Sequence, residues 1–154
     1  GINKTYDGNT TASVTLSDDR VAGDVLTLGF GAASFADPNA GAAKPVTVTG
    51  ITVTGTDSGN YTFNSTAATN ATINKAVVTA TAQDRSIVYG DTIPSGLISY
   101  SGFVMGEDET VLDTLPTVAS ALSGLQNVGI YNGNYTVSGG VDNNYDFAYV
   151  AGRL

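Results

Sequence analysis

Apolar and hydroxyl side chains alternate along much of this chain, at the period of a β-strand with one buried face. Ala12-Ser-Val-Thr-Leu16 opens the pattern, and Leu26, Leu28 and Phe30 continue it. The clearest strand is Val46-Thr-Val-Thr-Gly-Ile-Thr-Val-Thr54. Its valines at 46 and 48 share one parity, whereas Ile51 and Val53 take the other, so Gly50 is predicted to hold a bulge or bend that returns all four to the core. Tyr61 and Phe63 are predicted to point together into a core, followed by Ala71 and Ile73 in alternation. In the second half, short strands are predicted around Val77–Ala82, Ile87 and Tyr89, Ile98 to Phe103, Ile130–Val137, and Tyr145, Phe147 and Tyr149.

Turn residues separate these runs. Pro38, Asn39 and Gly41 predict a loop. Between Ser17 and Gly23 there is room for one helical turn, capped by Ser17 and ended by Gly23. Gly106 to Asp113 is the most acidic run, with apolar Val111, Leu112 and Leu115 behind it, and is predicted to form one short helix. No segment keeps apolar residues at helical spacing over three turns. The predicted class is therefore all-β: two tandem small antiparallel β-sandwich-like modules, with β-grasp-like modules carrying one short helix each as the alternative.

Two modules are predicted because the landmarks repeat. Tyr6-Asp7-Gly8 is followed by Asn60-Tyr61, and Val88-Tyr89-Gly90-Asp91 is followed by Asn144-Tyr145. The interval from Tyr6 to Tyr89 equals that from Asn60 to Asn144 to within one residue. Boundaries are predicted at 1–75 and 76–154, with about three residues between the strand near Ile73 and that near Val77. A link this short, without Gly or Pro, predicts a joint of limited swing. Halves of this size bury only about 60–65 % of their unfolded surface, so each core should be thin. The sequence starts and stops in mid-pattern, which predicts a piece of a longer polypeptide.

Composition removes several kinds of chemistry. With no His and no Cys, the chain cannot assemble a Ser-His-Asp or Cys-His arrangement, a disulfide, or a zinc site of the familiar ligand sets. No Gly-x-x-x-x-Gly-Lys-Ser/Thr loop occurs, and Gly29-Phe-Gly31 lacks the third glycine and following helix of a dinucleotide site. A formal charge of −8, with six Lys and Arg scattered singly, argues against nucleic acid as a partner. No apolar run approaches the ~20 residues that span a bilayer as a helix, so no membrane insertion is predicted.

Acidity leaves Ca²⁺ as a candidate ligand, through Asp18, Asp19 and Asp24 in one half and Glu107, Asp108, Glu109 and Asp113 in the other. Neither cluster has EF-hand spacing, and a solvated acidic loop explains both. Paired carboxylates for glycoside hydrolysis have the same blander alternative, since turn residues such as Asp37, Asp57 and Asp142 accept backbone hydrogen bonds. Asn-x-Ser/Thr triplets at Asn3, Asn9, Asn60, Asn64, Asn70 and Asn134 are glycosylation candidates that composition alone also produces. Tyr61, Tyr131, Tyr135, Tyr145 and Tyr149 offer faces on which a sugar stacks, but their alternation with Phe63, Val137 and Phe147 equally fits core and rim packing. No catalytic residue and no cofactor is predicted.

The first half resembles the YDG repeat of large bacterial adhesins of the filamentous-haemagglutinin type, through Lys4-Thr-Tyr-Asp-Gly-Asn-Thr-Thr-Ala12, Phe35-Ala-Asp37, Lys44-Pro-Val-Thr-Val-Thr-Gly50, Asp57-Ser-Gly-Asn-Tyr-Thr62 and Ala71-Thr-Ile-Asn-Lys75. The second half resembles the companion MBG repeat, through Val78-Thr-Ala-Thr-Ala82, Val88-Tyr-Gly-Asp91, Tyr100-Ser-Gly-Phe103, Gly106-Glu-Asp108, Asn127-Val-Gly-Ile-Tyr131 and Asn144-Tyr-Asp-Phe147. It departs from that repeat in lacking a Thr-Leu-Thr-Ile-type strand after Gly152, as if the final strand were truncated.

The resemblance implies a non-catalytic stalk segment of a large extracellular bacterial adhesin, exported by two-partner secretion through an outer-membrane pore, at the cell surface or released. It would support cell-cell, surface or biofilm-matrix attachment. The partners implied are neighbouring repeat modules of the same polypeptide, matrix polysaccharide, or other adhesin copies, with the fragment itself monomeric. The alternative function is a carbohydrate-binding module recognising exopolysaccharide or host glycan.

Overall fold

The computed structural model describes residues 1–154, and the chain separates into two compact units, Gly1–Asn74 and Lys75–Leu154. The regular structure of both is almost all strand, as the alternation of apolar and hydroxyl residues predicts. The only helical pieces are single 3-10 turns at Ser58–Asn60 and Glu109–Val111. The second is all that forms of the helix predicted for Gly106 to Asp113. Asp108 caps it by accepting from the Thr110 N–H. No helix forms between Ser17 and Gly23.

In the first unit, strands β1 (Lys4–Thr5), β3 (Ala32–Phe35), β4 (Gly41–Thr49) and β6 (Thr66–Asn74) make one sheet in the order β1-β6-β4-β3. Strands β2 (Thr27–Gly29) and β5 (Thr52–Thr54) pair separately. Val46 and Val48 are fully buried on β4, Ala71 and Ile73 on β6, and Phe35 on β3. Removing this apolar surface from water is the main favourable term of folding.

Gly50 is the corner predicted from the parity change. At φ +67° it carries the chain out of β4 and into the ladder of β5, leaving Ile51 and Val53 half-buried. Gly31 makes the companion corner between β2 and β3, its N–H bonding the Thr49 carbonyl at 3.0 Å. A Cβ on Gly50 would sit 3.2 Å from the Gly31 nitrogen, so the two corners touch through backbone alone. Phe63 departs from the predicted core pair. It lies outside any strand and is half exposed.

The second unit holds β7 (Ala76–Ala82), β8 (Ile98–Ser101) and β11 (Tyr145–Val150) in one sheet, ordered β11-β7-β8. Strands β9 (Thr114–Ser120) and β10 (Tyr135–Val141) form another. The two sheets meet where Ala80 and Ala82 pack against Tyr135 and Val137, with Ile98, Tyr100 and Val118 around them. Small alanines on β7 let the Tyr135 ring enter fully, and its hydroxyl donates to the Pro94 carbonyl at 2.9 Å.

Pairing departs from the antiparallel expectation in one ladder of each unit. β1 runs parallel to β6, with Lys4 opposite Ile73, and β11 runs parallel to β7, with Tyr145 opposite Ala76. The remaining strand pairs are antiparallel.

Candidate functional site

The feature common to both units is a turn tied down by a tyrosine. Val21-Ala-Gly-Asp24 closes with the Asp24 N–H on the Val21 carbonyl at 3.1 Å, and Val104-Met-Gly-Glu107 with the Glu107 N–H on the Val104 carbonyl at 2.9 Å. Each carries a glycine at its third position, Gly23 at φ +105° and Gly106 at φ +77°. In each, one tyrosine hydroxyl sits inside the turn. Tyr61 Oη accepts from the Val21 N–H at 2.9 Å and donates to Asp24 Oδ2 at 2.6 Å. Tyr145 Oη accepts from the Val104 N–H at 3.0 Å and donates to Glu107 Oε2 at 2.5 Å.

A hydroxyl donates once and accepts from its other side, so it bridges a main-chain donor and a carboxylate without leaving either unpaired. The bond to Asp24 holds the Tyr61 phenol above its ordinary pKa, because it favours the neutral, proton-bearing form. These tyrosines are the ones in the repeated Asn-Tyr pairs. The repeat signalled that they correspond, and nothing in the local pattern signalled their partners.

The two latches differ in depth. Tyr145 is fully buried, with its ring edge-on to Phe103 at 5.3 Å, whereas Tyr61 is half-buried. Asp57 adds a second tie in the first unit, accepting from the Val25 N–H at 2.8 Å. In the second unit, buried Asp142 accepts from the Asn144 and Tyr145 N–H groups at 2.7 and 2.9 Å.

Of the acidic residues singled out for Ca²⁺, Asp18 and Asp108 are engaged within their own loops, and no group of three or more carboxylates comes together. Asp18 accepts from the Arg20 guanidinium at 2.5 and 2.8 Å, and those bonds hold its carboxyl below the ordinary value. Asp108 is held low by the Thr110 hydroxyl and N–H. Asp24 and Glu107 serve the latches. Asp19, Glu109 and Asp113 are exposed.

Of the tyrosines considered for sugar stacking, Tyr135 and Tyr145 are wholly buried. Tyr131 donates to the Asn127 carbonyl, and Tyr149 lies parallel to the Phe147 ring at 6.2 Å. Among the glycosylation triplets, Asn134 is buried, with Oδ1 accepting from Ser120 Oγ and the Leu122 N–H, and Asn3 Oδ1 accepts from the Thr72 N–H.

The most exposed aromatic of the second unit, Tyr89, was not among those candidates. It is 65 % exposed beside a groove of about 120 Å³. Its walls are residues 86–91 and 126–129, with Tyr131 and Leu154.

Comparison with known families matches residues 1–71 to the YDG domain and residues 78–154 to the MBG domain of YGX type. Searches of curated proteins and of solved structures return no match. Both are repeat-type domains of adhesin-like proteins, and neither is known as a catalytic family. With Tyr6-Asp7-Gly8 opening one unit and Tyr89-Gly90-Asp91 near the start of the other, the chain is a YDG domain followed by a YGX-type MBG domain and belongs to the MBG domain family.

Proposed function

We propose that this chain is a non-catalytic stalk segment of a large extracellular bacterial adhesin, whose repeated modules extend an attachment region from the cell. The observation that carries the reading is the recurrence of one latched-turn design in two units of one chain, with β6 ending at Asn74 and β7 starting at Ala76. Repetition of a structural device, rather than of a reactive one, is what a spacer requires.

On this reading the modules are 1–75 and 76–154, and their partners are neighbouring modules of the same polypeptide. Export by two-partner secretion and support of cell-cell, surface or biofilm attachment belong to the same proposal, and no bound cofactor is needed for it. Calorimetric titration with Ca²⁺, together with melting in EDTA, tests that last point, and heat of binding would overturn it.

Small-angle scattering of the 154-residue chain tests the stalk directly. An elongated particle, whose interdomain distance distribution broadens when a Gly-Ser segment is inserted after Lys75, is the expected result. A compact particle, or a distribution unchanged by the insertion, removes the stiff-stalk reading.

A further inference from the structure

The first unit keeps an open cleft of about 280 Å³ beside its smaller ladder. Its half-buried members are Leu16, Leu28, Ile51 and Val53, and its exposed ones belong to residues 17–19 and 62–64. The ladder explains the opening. Strands β2 and β5 are three residues each, with Leu28 opposite Val53, and no third strand joins them. Opposed residues share a face, and so short a pair leaves its aliphatic side chains only half covered.

The sides of the cleft are fastened. Tyr61 stands immediately before Thr62, and its hydroxyl reaches the Val21 N–H and Asp24 on the opposite side. Beyond Asn64, the Ile51 N–H bonds the Ser65 carbonyl at 3.0 Å. Arg20 ties the other side down, donating to Asp18 and, at 2.8 Å, to the Leu26 carbonyl. Walls fixed before a ligand arrives spare most of the entropy of ordering them.

Within those walls the side chains are of two kinds. Phe63 is 51 % exposed, more than any other phenylalanine of the chain. Around it are Ser17, Asp19, Thr62 and Asn64, whose side chains are not engaged by the protein. An apolar ring bordered by hydroxyl, amide and carboxylate groups complements a pyranose, which has an apolar C–H face and a rim of hydroxyls. Charge narrows the class. The Arg20 guanidinium offsets Asp18, Asp19 has no such partner, and no basic residue lines the cleft. The resulting field opposes a uronic acid and favours an amine, which the ring face also attracts.

We propose that this cleft binds an amino sugar of a glycan chain, with the C–H face of the sugar on Phe63, its ammonium at Asp19 and its hydroxyls at Asn64, Thr62 and Ser17. The site goes beyond the stalk reading and does not rest on it, since it concerns one surface of one unit. The latch at Tyr61 then holds a turn and a binding wall together.

The test titrates the 154-residue chain with the trisaccharides of glucosamine, N-acetylglucosamine and galacturonic acid, and with trilysine as a sugar-free cation. Binding is read by calorimetry and by amide shifts at Ile51, Thr62 and Asn64, with Val48 reporting that the unit is folded. The glucosamine trisaccharide is expected to bind tightest and the galacturonic acid trisaccharide not to bind. Phe63→Leu, which keeps an apolar side chain without a ring, should weaken binding about tenfold, and Phe63→Tyr should retain it. Asp19→Asn should abolish the preference for the free amine over the N-acetyl form.

No shift with the glucosamine trisaccharide, equal binding of the galacturonic acid trisaccharide, or undiminished binding in Phe63→Leu overturns the site. Equal binding of trilysine overturns the sugar as its ligand. Each of these outcomes leaves the scattering test of the stalk untouched.

Discussion

Tyr6 and Tyr89 occupy corresponding places in the two units, yet one is buried and the other is 65 % exposed. Tyr61 and Tyr145 also correspond, and there the order is reversed: the tyrosine of the second unit is fully buried, and that of the first only in part. The hydrogen bonds at each latch are nevertheless the same, a Val N–H received and a carboxylate reached. The contrast separates two contributions that one module alone would confound. The polar connection of a repeat is retained where its burial is not, so the hydroxyl fixes the turn and the ring sets how much stability accompanies it.

Truncating the two latch tyrosines gives the largest expected contrast. Tyr145→Ala removes a fully buried ring and should destabilise its unit by about 3–5 kcal/mol, enough to unfold a thin module. Tyr61→Ala should shift the first unit's transition much less. Urea unfolding followed by amide exchange in each unit measures both, and equal losses would break the distinction between ring and hydroxyl.

The next contrast lies at two glycines held at positive φ, Gly50 in the first unit and Gly133 in the second. A Cβ on Gly133 meets nothing within 4 Å, whereas one on Gly50 meets the Gly31 backbone. Gly133→Ala should cost the second unit only the left-handed penalty, about 1–2 kcal/mol. Gly50→Ala should cost the first unit a further ~1–3 kcal/mol for crowding. Comparable denaturation midpoint shifts would place the Gly31 contact elsewhere in the energetics.

Removing only the hydroxyl sharpens the comparison. Tyr145→Phe leaves the Val104 N–H without its partner and should cost about 1–2 kcal/mol. In both Tyr145→Phe and Tyr61→Phe, the Val104 and Val21 amides should exchange faster while the strand amides stay protected. Faster exchange across a whole unit would mean that the latch holds more than its turn.

Acid gives the smallest contrast. Burial raises Asp7, but its bonds to Lys4 and Asn9 outweigh that and leave it lowered; Lys44 lowers Asp37, Arg20 lowers Asp18, and Thr110 lowers Asp108. A carboxylate whose folded pKa lies below its unfolded value, 3.8 here, contributes stability above that value and loses it as pH falls through the folded pKa. Three of these four groups are in the first unit, so below about pH 4 that unit should lose stability first. Exchange rates of Val48 and Val78 amides from pH 5 to pH 2.5 would show it.

Much of the fold was readable from local pattern. The parity change at Gly50 announced a corner because strand period and core face are both local properties, and the acidic run from Gly106 to Asp113 announced a helical piece, of which one 3-10 turn forms. The parallel ladders were not readable, because Lys4 and Ile73 meet across nearly the whole unit and no spacing rule links them. Phe63 misled for a related reason: alternation predicts burial only where a neighbouring strand pairs, and residues 61–64 have none. Tyr61, Asp24 and Val21 are separated by up to forty residues, so their meeting belongs to tertiary structure. The exposure of Tyr89 was hidden by the same repeat that identified it, since its counterpart is buried.

The parallel ladders also set when each unit is able to close. Lys4 meets Ile73, and Ala76 meets Tyr145, so the first-made strand of each unit waits for nearly the last. Pairings at such sequence separation raise the contact order and slow folding relative to a meander of adjacent hairpins. A chain made or delivered from one end therefore stays open until almost an entire module has emerged, and then closes in one late step. The order of events is written into the topology, ahead of any chaperone or partner.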